Sequence, residues 1–239
     1  MTQLKDLRVK IFADGADIAG MRDMYKTGYI SGFTMNPTLM KNAGVKDYES
    51  FAREIASEIK EFPLSFEVFA DDFSDMARQA KKIGKWGKNI YVKIPVTNTQ
   101  AKSSEELIRE LSLEGLKLNI TAILTLDQVK RSIDALADGA SAYVSLFAGR
   151  IADTGVDPCP IMIETAKICK EKPGNVESLW ASTRELYNIF QADSCGADII
   201  TVTNDILKKL PLIGKDLAEL SLDTVKMFRD DALKLGYVL

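Results

Sequence analysis

Eight short runs of β-branched and apolar residues recur along the chain, at 9–14, 30–36, 64–70, 89–96, 117–122, 142–147, 177–182 and 198–203, with helical patterns between them. This alternation constrains the fold strongly. Parallel strands need crossover connections long enough to be helices, so regular alternation implies βα units and a parallel sheet. Two of the helical patterns are 48–59, with Phe51, Ile55 and Ile59 at helical spacing, and 126–136, with Leu126, Val129, Ile133 and Leu136. Ser103 and Ser104 before Glu105-Glu106, and Thr125 before Leu126-Asp127-Gln128, are the expected helix starts. Eight such units in 239 residues, without a linker-like stretch, predict an α/β protein built as a single (β/α)8 barrel over 1–239. A doubly wound open sheet is the runner-up, but the strand turns carry no G-x-G-x-x-G fingerprint. The amphipathic run 217–235 is expected to be the eighth barrel helix; its alternative is an arm that packs on a neighbouring subunit.

Composition removes several classes of function. Net charge is −3 and lysines and arginines form no stripe, so nucleic acid is not an expected partner. The N-terminus lacks the apolar core of a signal peptide and no apolar run is long enough for a membrane span, which predicts a cytoplasmic protein without a membrane partner. Cys159, Cys169 and Cys195 form neither a disulfide framework nor a zinc motif and read as ordinary core or surface residues. Histidine is absent, so no metal site is expected, and acid–base chemistry falls to carboxylates, lysine, tyrosine and hydroxyls.

Within the run 89–97, Ile90, Val92 and Ile94 share one face and Tyr91 and Lys93 the other. In a barrel the second face points inward, where an ammonium is costly unless paired and desolvation favours the neutral, nucleophilic amine of a Schiff-base lysine. On an edge strand Lys93 would instead lie in water. Other runs place polar residues on the same face. Asp14 lies opposite Val9, Ile11 and Ala13, and Glu67 lies opposite Leu64, Phe66, Val68 and Ala70. Asn119 and Thr121 lie opposite Leu118, Ile120 and Ala122, and Ser145 lies with Tyr143 and Phe147. Asn36 and Ser182 end their runs. Each has an ordinary reading: Asp14 as a cap, Ser145 bonded to a carbonyl, Asn36 before Pro37 as a turn pair. Their convergence near the C-terminal ends of the strands, where barrels of this kind build active sites, favours one polar cavity.

Phe12-Ala-Asp14, Thr34-Met-Asn-Pro-Thr38, Val92-Lys-Ile-Pro95, Asn119-Ile-Thr121, Ser145-Leu-Phe-Ala-Gly-Arg150 and Ala181-Ser-Thr-Arg184 resemble, in order, the motifs of the transaldolase family, including its small members and the related fructose-6-phosphate aldolases. The resemblance implies a class I mechanism without cofactor or metal, in which Lys93 forms an imine with a ketose phosphate. It also implies that Asp14 deprotonates the C4 hydroxyl and that Glu67 and Thr121 hold the water of proton transfer. Asn36 and Asn119 would bind the dihydroxyacetone part, while Ser145, Arg150, Ser182 and Arg184 would take the hydroxyls and the terminal anion. Thr34 and Phe147 belong to the same substrate side. Small relatives commonly form rings, so the resemblance implies a homo-oligomer that acts on sugar phosphates.

Glu67 and Phe147 resemble the transaldolase branch, whereas the aldolase branch tends to carry glutamine and tyrosine there. Met35 and Gly15 replace residues that are commonly threonine or serine, and both are expected to reshape the pocket. Arg184, just after Ser182, is expected to start a helix whose amides and dipole add to anion binding. The alternatives are cleavage that releases free dihydroxyacetone, a sugar with another terminal anion such as a sulfonate, and a retired barrel that only binds phosphosugars.

Overall fold

The computed structural model describes residues 4–237. Eight parallel strands close into one barrel in sequence order: β1 Lys10–Asp14, β2 Ile30–Thr34, β3 Leu64–Glu67, β4 Ile90–Pro95, β5 Leu118–Ile123, β6 Ser141–Leu146, β7 Asn175–Trp180 and β8 Ile199–Thr203. Around them run α1 Ile18–Lys26, α2 Pro37–Asn42, α3 Tyr48–Glu58, α4 Phe73–Ile83, α5 Glu105–Leu113, α6 Leu126–Ala135, α7 Ala148–Ala152, α8 Cys159–Glu171, α9 Asn188–Ser194 and α10 Asn204–Leu207. α11 (Leu217–Lys234) follows. The protein is a (β/α)8 barrel, and no described helix is long and apolar enough to cross a membrane.

Two cores result from the alternation of side chains along each strand. Outward residues such as Ile11, Phe66, Val92, Ile94, Ile120 and Val144 join Ile55, Met76, Ile108, Val129, Ile133 and Met162 of the helices in a continuous apolar layer. Inside the barrel a smaller cluster contains Phe12, Tyr91, Tyr143, Leu179 and Ile199. Tyr91 and Tyr143 stack with ring centres 4.0 Å apart, and Phe12 meets Tyr143 edge-on at 5.7 Å. A Cβ on Gly32 of β2 would lie 2.6 Å from the Phe12 ring, so the glycine makes room for this aromatic floor.

The strand registers stack inward residues in layers above that floor. Thr34 is level with Asp14 and Ser65, Lys93 with Glu67 and Asn119, Ser145 with Leu179, and Thr201 with Phe12. The even strands therefore contribute one polar layer, Thr34, Lys93, Ser145 and Thr201. Asp14 adjoins this layer as the register partner of Thr34, and Glu67 as that of Lys93.

Several expectations are corrected. The ladder of β2 stops at Thr34 because Asn36 turns out to cap α2, and β3 stops at Glu67 because Gln79 of α4 accepts from the Phe69 and Ala70 amides. β7 begins at Asn175 and ends before Ser182, which takes φ +66°. Ala122, expected on the outer face, has φ +62° at a register irregularity in β5 and lines the cavity inside. Thr125 caps α6 in a reciprocal box with Gln128; at α5 the Ser104 hydroxyl donates to the Pro95 carbonyl and does not cap, while the Ser103 hydroxyl accepts from the Glu105 amide at 3.4 Å. α11 buries no residue and leaves Leu222, Val225, Phe228 and Leu233 more than half exposed. It is therefore not a ring helix packed on the outer core, because such a helix hides one apolar face.

Candidate active site

A cavity of about 540 Å³ opens at the C-terminal ends of the strands. All of the residues singled out from the sequence line it: Lys93, Asp14, Glu67 and Thr121, and around them Asn36, Thr34, Asn119, Ser145, Phe147, Arg150, Ser182 and Arg184. Lys93 is only 6% exposed, which removes the edge-strand alternative. Its Nζ lies 3.2 Å from Glu67 Oε2 and donates at 3.2 Å to the Met35 carbonyl. The ammonium thus has a counterion and an acceptor inside the barrel, which offsets its desolvation. Met35 itself is fully buried in the outer core, and neither Met35 nor Gly15 lines the cavity, so neither reshapes it directly.

Asp14 accepts a hydrogen bond of 2.7 Å from the Thr34 hydroxyl. Burial pushes its carboxyl above the ordinary carboxylate value, the Lys93 charge and the Thr34 bond oppose that rise, and Glu67 adds to it. The dominant effect favours a carboxyl that can hold a proton and release it again. Glu67 is held by a residue the sequence did not flag. The Tyr48 hydroxyl of α3 donates to the Glu67 carbonyl at 2.8 Å and accepts from the Glu67 amide at 2.9 Å, just where the ladder ends. Burial pushes the Tyr48 phenol well above its usual range, so it remains neutral.

Below this pair, the Ser145 hydroxyl donates to Asn119 Oδ1 at 2.7 Å and Asn119 Nδ2 donates to Ser65 Oγ at 3.0 Å. The network fixes which way the Asn119 amide points. The Thr121 hydroxyl is buried and has no hydrogen-bond partner among the described residues, which leaves it available to a ligand or a water molecule. Asn36 combines its turn role with its cavity position: Oδ1 accepts from the Leu39 amide at 2.9 Å while the residue lines the cavity.

The opposite wall is cationic. Arg150 lies over the Phe147 ring at 5.8 Å, and Arg184 is held by Asp153, with Nε 3.0 Å and Nη2 2.5 Å from its carboxylate oxygens. The expected helix start at Arg184 is absent: α9 begins at Asn188, whose Oδ1 takes the Arg184 and Glu185 amides. Gly149, next to Arg150 in the chain, lies against the strained Ser182 turn and beside Arg184. A Cβ at Gly149 would fall 1.7 Å from the Ser182 carbonyl oxygen.

Among the described residues no group of three or more histidine, cysteine, aspartate or glutamate residues is placed to hold a metal ion. The family model described as Transaldolase/Fructose-6-phosphate aldolase matches residues 11–238.

The chain belongs to the transaldolase/fructose-6-phosphate aldolase family.

A protein of Dehalococcoides mccartyi named "Probable transaldolase" is 34% identical over 218 residues, 90% of this chain and 97% of its own. One of the same name from Thermoanaerobacter sp. is 32% identical over 95% of this chain and 99% of its own. Among solved structures, the tryptophan synthase A-subunit of Pyrococcus furiosus superposes with a TM-score of 0.57 at 11% identity, over 89% of this chain and 94% of that one, a likeness of fold alone. Within this transaldolase/aldolase framework, Tyr48, which braces the Glu67 backbone, and the cavity-lining Thr183, Thr201 and Thr203 are site residues that the strand pattern did not single out. Tyr48 opens a helical run and reaches the site by packing. Thr201 was legible, since Ile199, Thr201 and Thr203 share the inward face of the eighth run, but threonine is also an ordinary strand former.

Proposed function

We propose that this protein is a class I transaldolase that moves a dihydroxyacetone unit from a ketose phosphate, such as fructose 6-phosphate, to an aldose phosphate through an imine on Lys93. The observation that carries this reading is the enclosed Lys93–Glu67 contact of 3.2 Å with Asp14 in the same cavity. Glu67 is placed to accept a proton from the ammonium, which frees the amine to attack the C2 carbonyl. Loss of water gives the imine, and its protonated form is an electron sink.

Asp14 then accepts the C4 hydroxyl proton, the C3–C4 bond breaks, and its electron pair enters the C2–C3 enamine as an aldehyde leaves. Addition of C3 to the acceptor aldehyde reverses these steps, with Asp14 returning the proton. Glu67 and the unpartnered Thr121 hydroxyl serve the water that forms and hydrolyses the imine. Asn36 and Asn119 bind the three-carbon unit. Arg150 and Arg184, with Ser145 and Ser182, hold the terminal anion, for which planar guanidinium groups suit phosphate.

Glu67 in place of an amide, and Phe147 in place of a phenol, favour transfer over release of free dihydroxyacetone. Borohydride trapping with fructose 6-phosphate, followed by peptide mass mapping, tests both points. A three-carbon adduct on Lys93 that disappears when erythrose 4-phosphate is supplied supports transfer. Discharge without an acceptor supports aldol cleavage, and no adduct on the folded protein would refute the imine. We also propose a homo-oligomer in which α11 packs on a second copy, a reading supported by its unburied apolar residues.

A further inference from the structure

The buried hydroxyl of Thr201 has a specific place. Thr201 lies on β8, 5% exposed, in the same inward layer as Lys93 and one register step below Asp14. Its Oγ1 is 2.5 Å from Thr34 Oγ1, and Thr34 Oγ1 is in turn 2.7 Å from Asp14 Oδ1. The Thr201 carbonyl accepts from the Thr183 hydroxyl at 2.7 Å, which ties this point of β8 to the loop after β7. Valine has the same shape as threonine and would fill the position without a buried polar atom, so packing alone gives no reason for the hydroxyl.

Donor and acceptor rules fix the direction of this chain. An ionised Asp14 only accepts, so Thr34 must give it its single hydrogen. Thr34 can then only accept from Thr201, whose hydroxyl touches no other side-chain partner among the described residues. When Asp14 takes up a proton it becomes a donor, and the same three groups reverse: Asp14 donates to Thr34, which donates to Thr201. Both protonation states of the carboxyl keep the two hydrogen bonds of this chain without any heavy atom moving; in the protonated state the Thr201 hydrogen is left for the cavity that the residue lines.

We propose that Thr201 is a positioning residue for the acid–base step, acting through Thr34 to orient Asp14 in both of its protonation states. This rests on the reading of Asp14 as the group that exchanges the C4 hydroxyl proton. A hydroxyl that accepts a hydrogen bond is polarised into a better donor, and the effect is greater when its own acceptor is charged. Loss of the Thr201 hydroxyl therefore weakens the ionised state of Asp14 more than the protonated one.

The test compares the wild type with Thr201→Val and Thr201→Ser. The Asp14 carboxyl is followed by ¹³C NMR of aspartate-labelled protein, its signal assigned by its loss in Asp14→Asn, with Lys93 and Glu67, the charged groups that act on Asp14, left in place. The expected result is a higher Asp14 titration midpoint in Thr201→Val and recovery in Thr201→Ser. With fructose 6-phosphate and an aldose phosphate, kcat falls roughly tenfold in Thr201→Val, KM holds, and the acid limb of the pH profile moves the same way as the carboxyl. Borohydride still traps the Lys93 adduct in all three.

An unmoved Asp14 midpoint in folded Thr201→Val overturns the proposal. Should that variant not fold, Thr201→Ala removes the hydroxyl without adding bulk and is read by the same midpoint. Absence of any adduct in the wild type would overturn the imine reading instead, while the carboxyl titration would still decide the role of Thr201.

Discussion

Glu67 and Lys93 are direct register partners across β3 and β4, and their charged ends meet at 3.2 Å inside the barrel. Lys93→Ala is expected to lower turnover by on the order of a thousandfold or more, because no neighbouring side chain can supply the imine nitrogen. Circular dichroism should stay that of the wild type. Substantial turnover in the folded variant would take Lys93 out of the chemistry.

Asp14 links activity to stability with opposite signs. Its folded carboxyl binds protons more tightly than the ordinary value of 3.8, so the stability it contributes is full below about pH 3.8 and is lost as pH rises through the raised folded value. Activity should run the other way, rising with pH through that value as the carboxylate forms. At neutral pH, Asp14→Asn is expected to abolish cleavage and raise the melting temperature by about 2–4 °C, the size of shift that roughly 1 kcal/mol produces in a chain of this length. The gain is limited because Asp14 keeps some contact with the open cavity. Melting curves at pH 7 and below pH 4 check the sign, since the difference should vanish at the lower pH.

Arg184 is 45% exposed at its side chain and already engaged by Asp153. Arg184→Ala is expected to raise KM for phosphorylated donors by about 10–100-fold, the range for a charge-assisted bidentate contact, with kcat little changed. An unchanged KM would remove Arg184 from anion binding.

Gly149 cannot accept a side chain unless the Ser182 turn moves, because its Cβ would lie 1.7 Å from the carbonyl oxygen. Gly149→Ala is expected to destabilise the fold by about 2–4 kcal/mol and to weaken phosphate binding together with stability. Thermal melts with and without inorganic phosphate test the coupling; phosphate should protect the wild type and fail to protect the variant.

Phe228 of α11 is 65% exposed in the single chain. Phe228→Glu is expected to shift the solution mass towards that of one chain in light scattering, with the barrel's circular dichroism unchanged. A wild type that already runs as a monomer would end the proposal that α11 docks on a second copy.

The barrel and the membership of its cavity were legible because a two-residue period states which face each strand residue occupies, and polar interruptions on one face then mark a shared interior. The features that were not legible depend on departures from that period or on contacts between distant segments. Ala122 changes face through a left-handed residue, Tyr48 reaches Glu67 from a helix, and Asn188 removes the amides expected to form an anion site near Arg184. The amphipathic pattern of 217–235 correctly indicates a helix, but the periodicity is the same whether the apolar residues meet this barrel or another surface.

The stacked Tyr91 and Tyr143 rings with Phe12 close the cavity from below, so traffic must use the opening at the strand ends. For a transfer reaction this sets an order of events: the first aldehyde has to depart before the acceptor can enter the space it held. Initial rates should therefore follow ping-pong kinetics, with parallel double-reciprocal lines and competition between the released aldehyde and the incoming one.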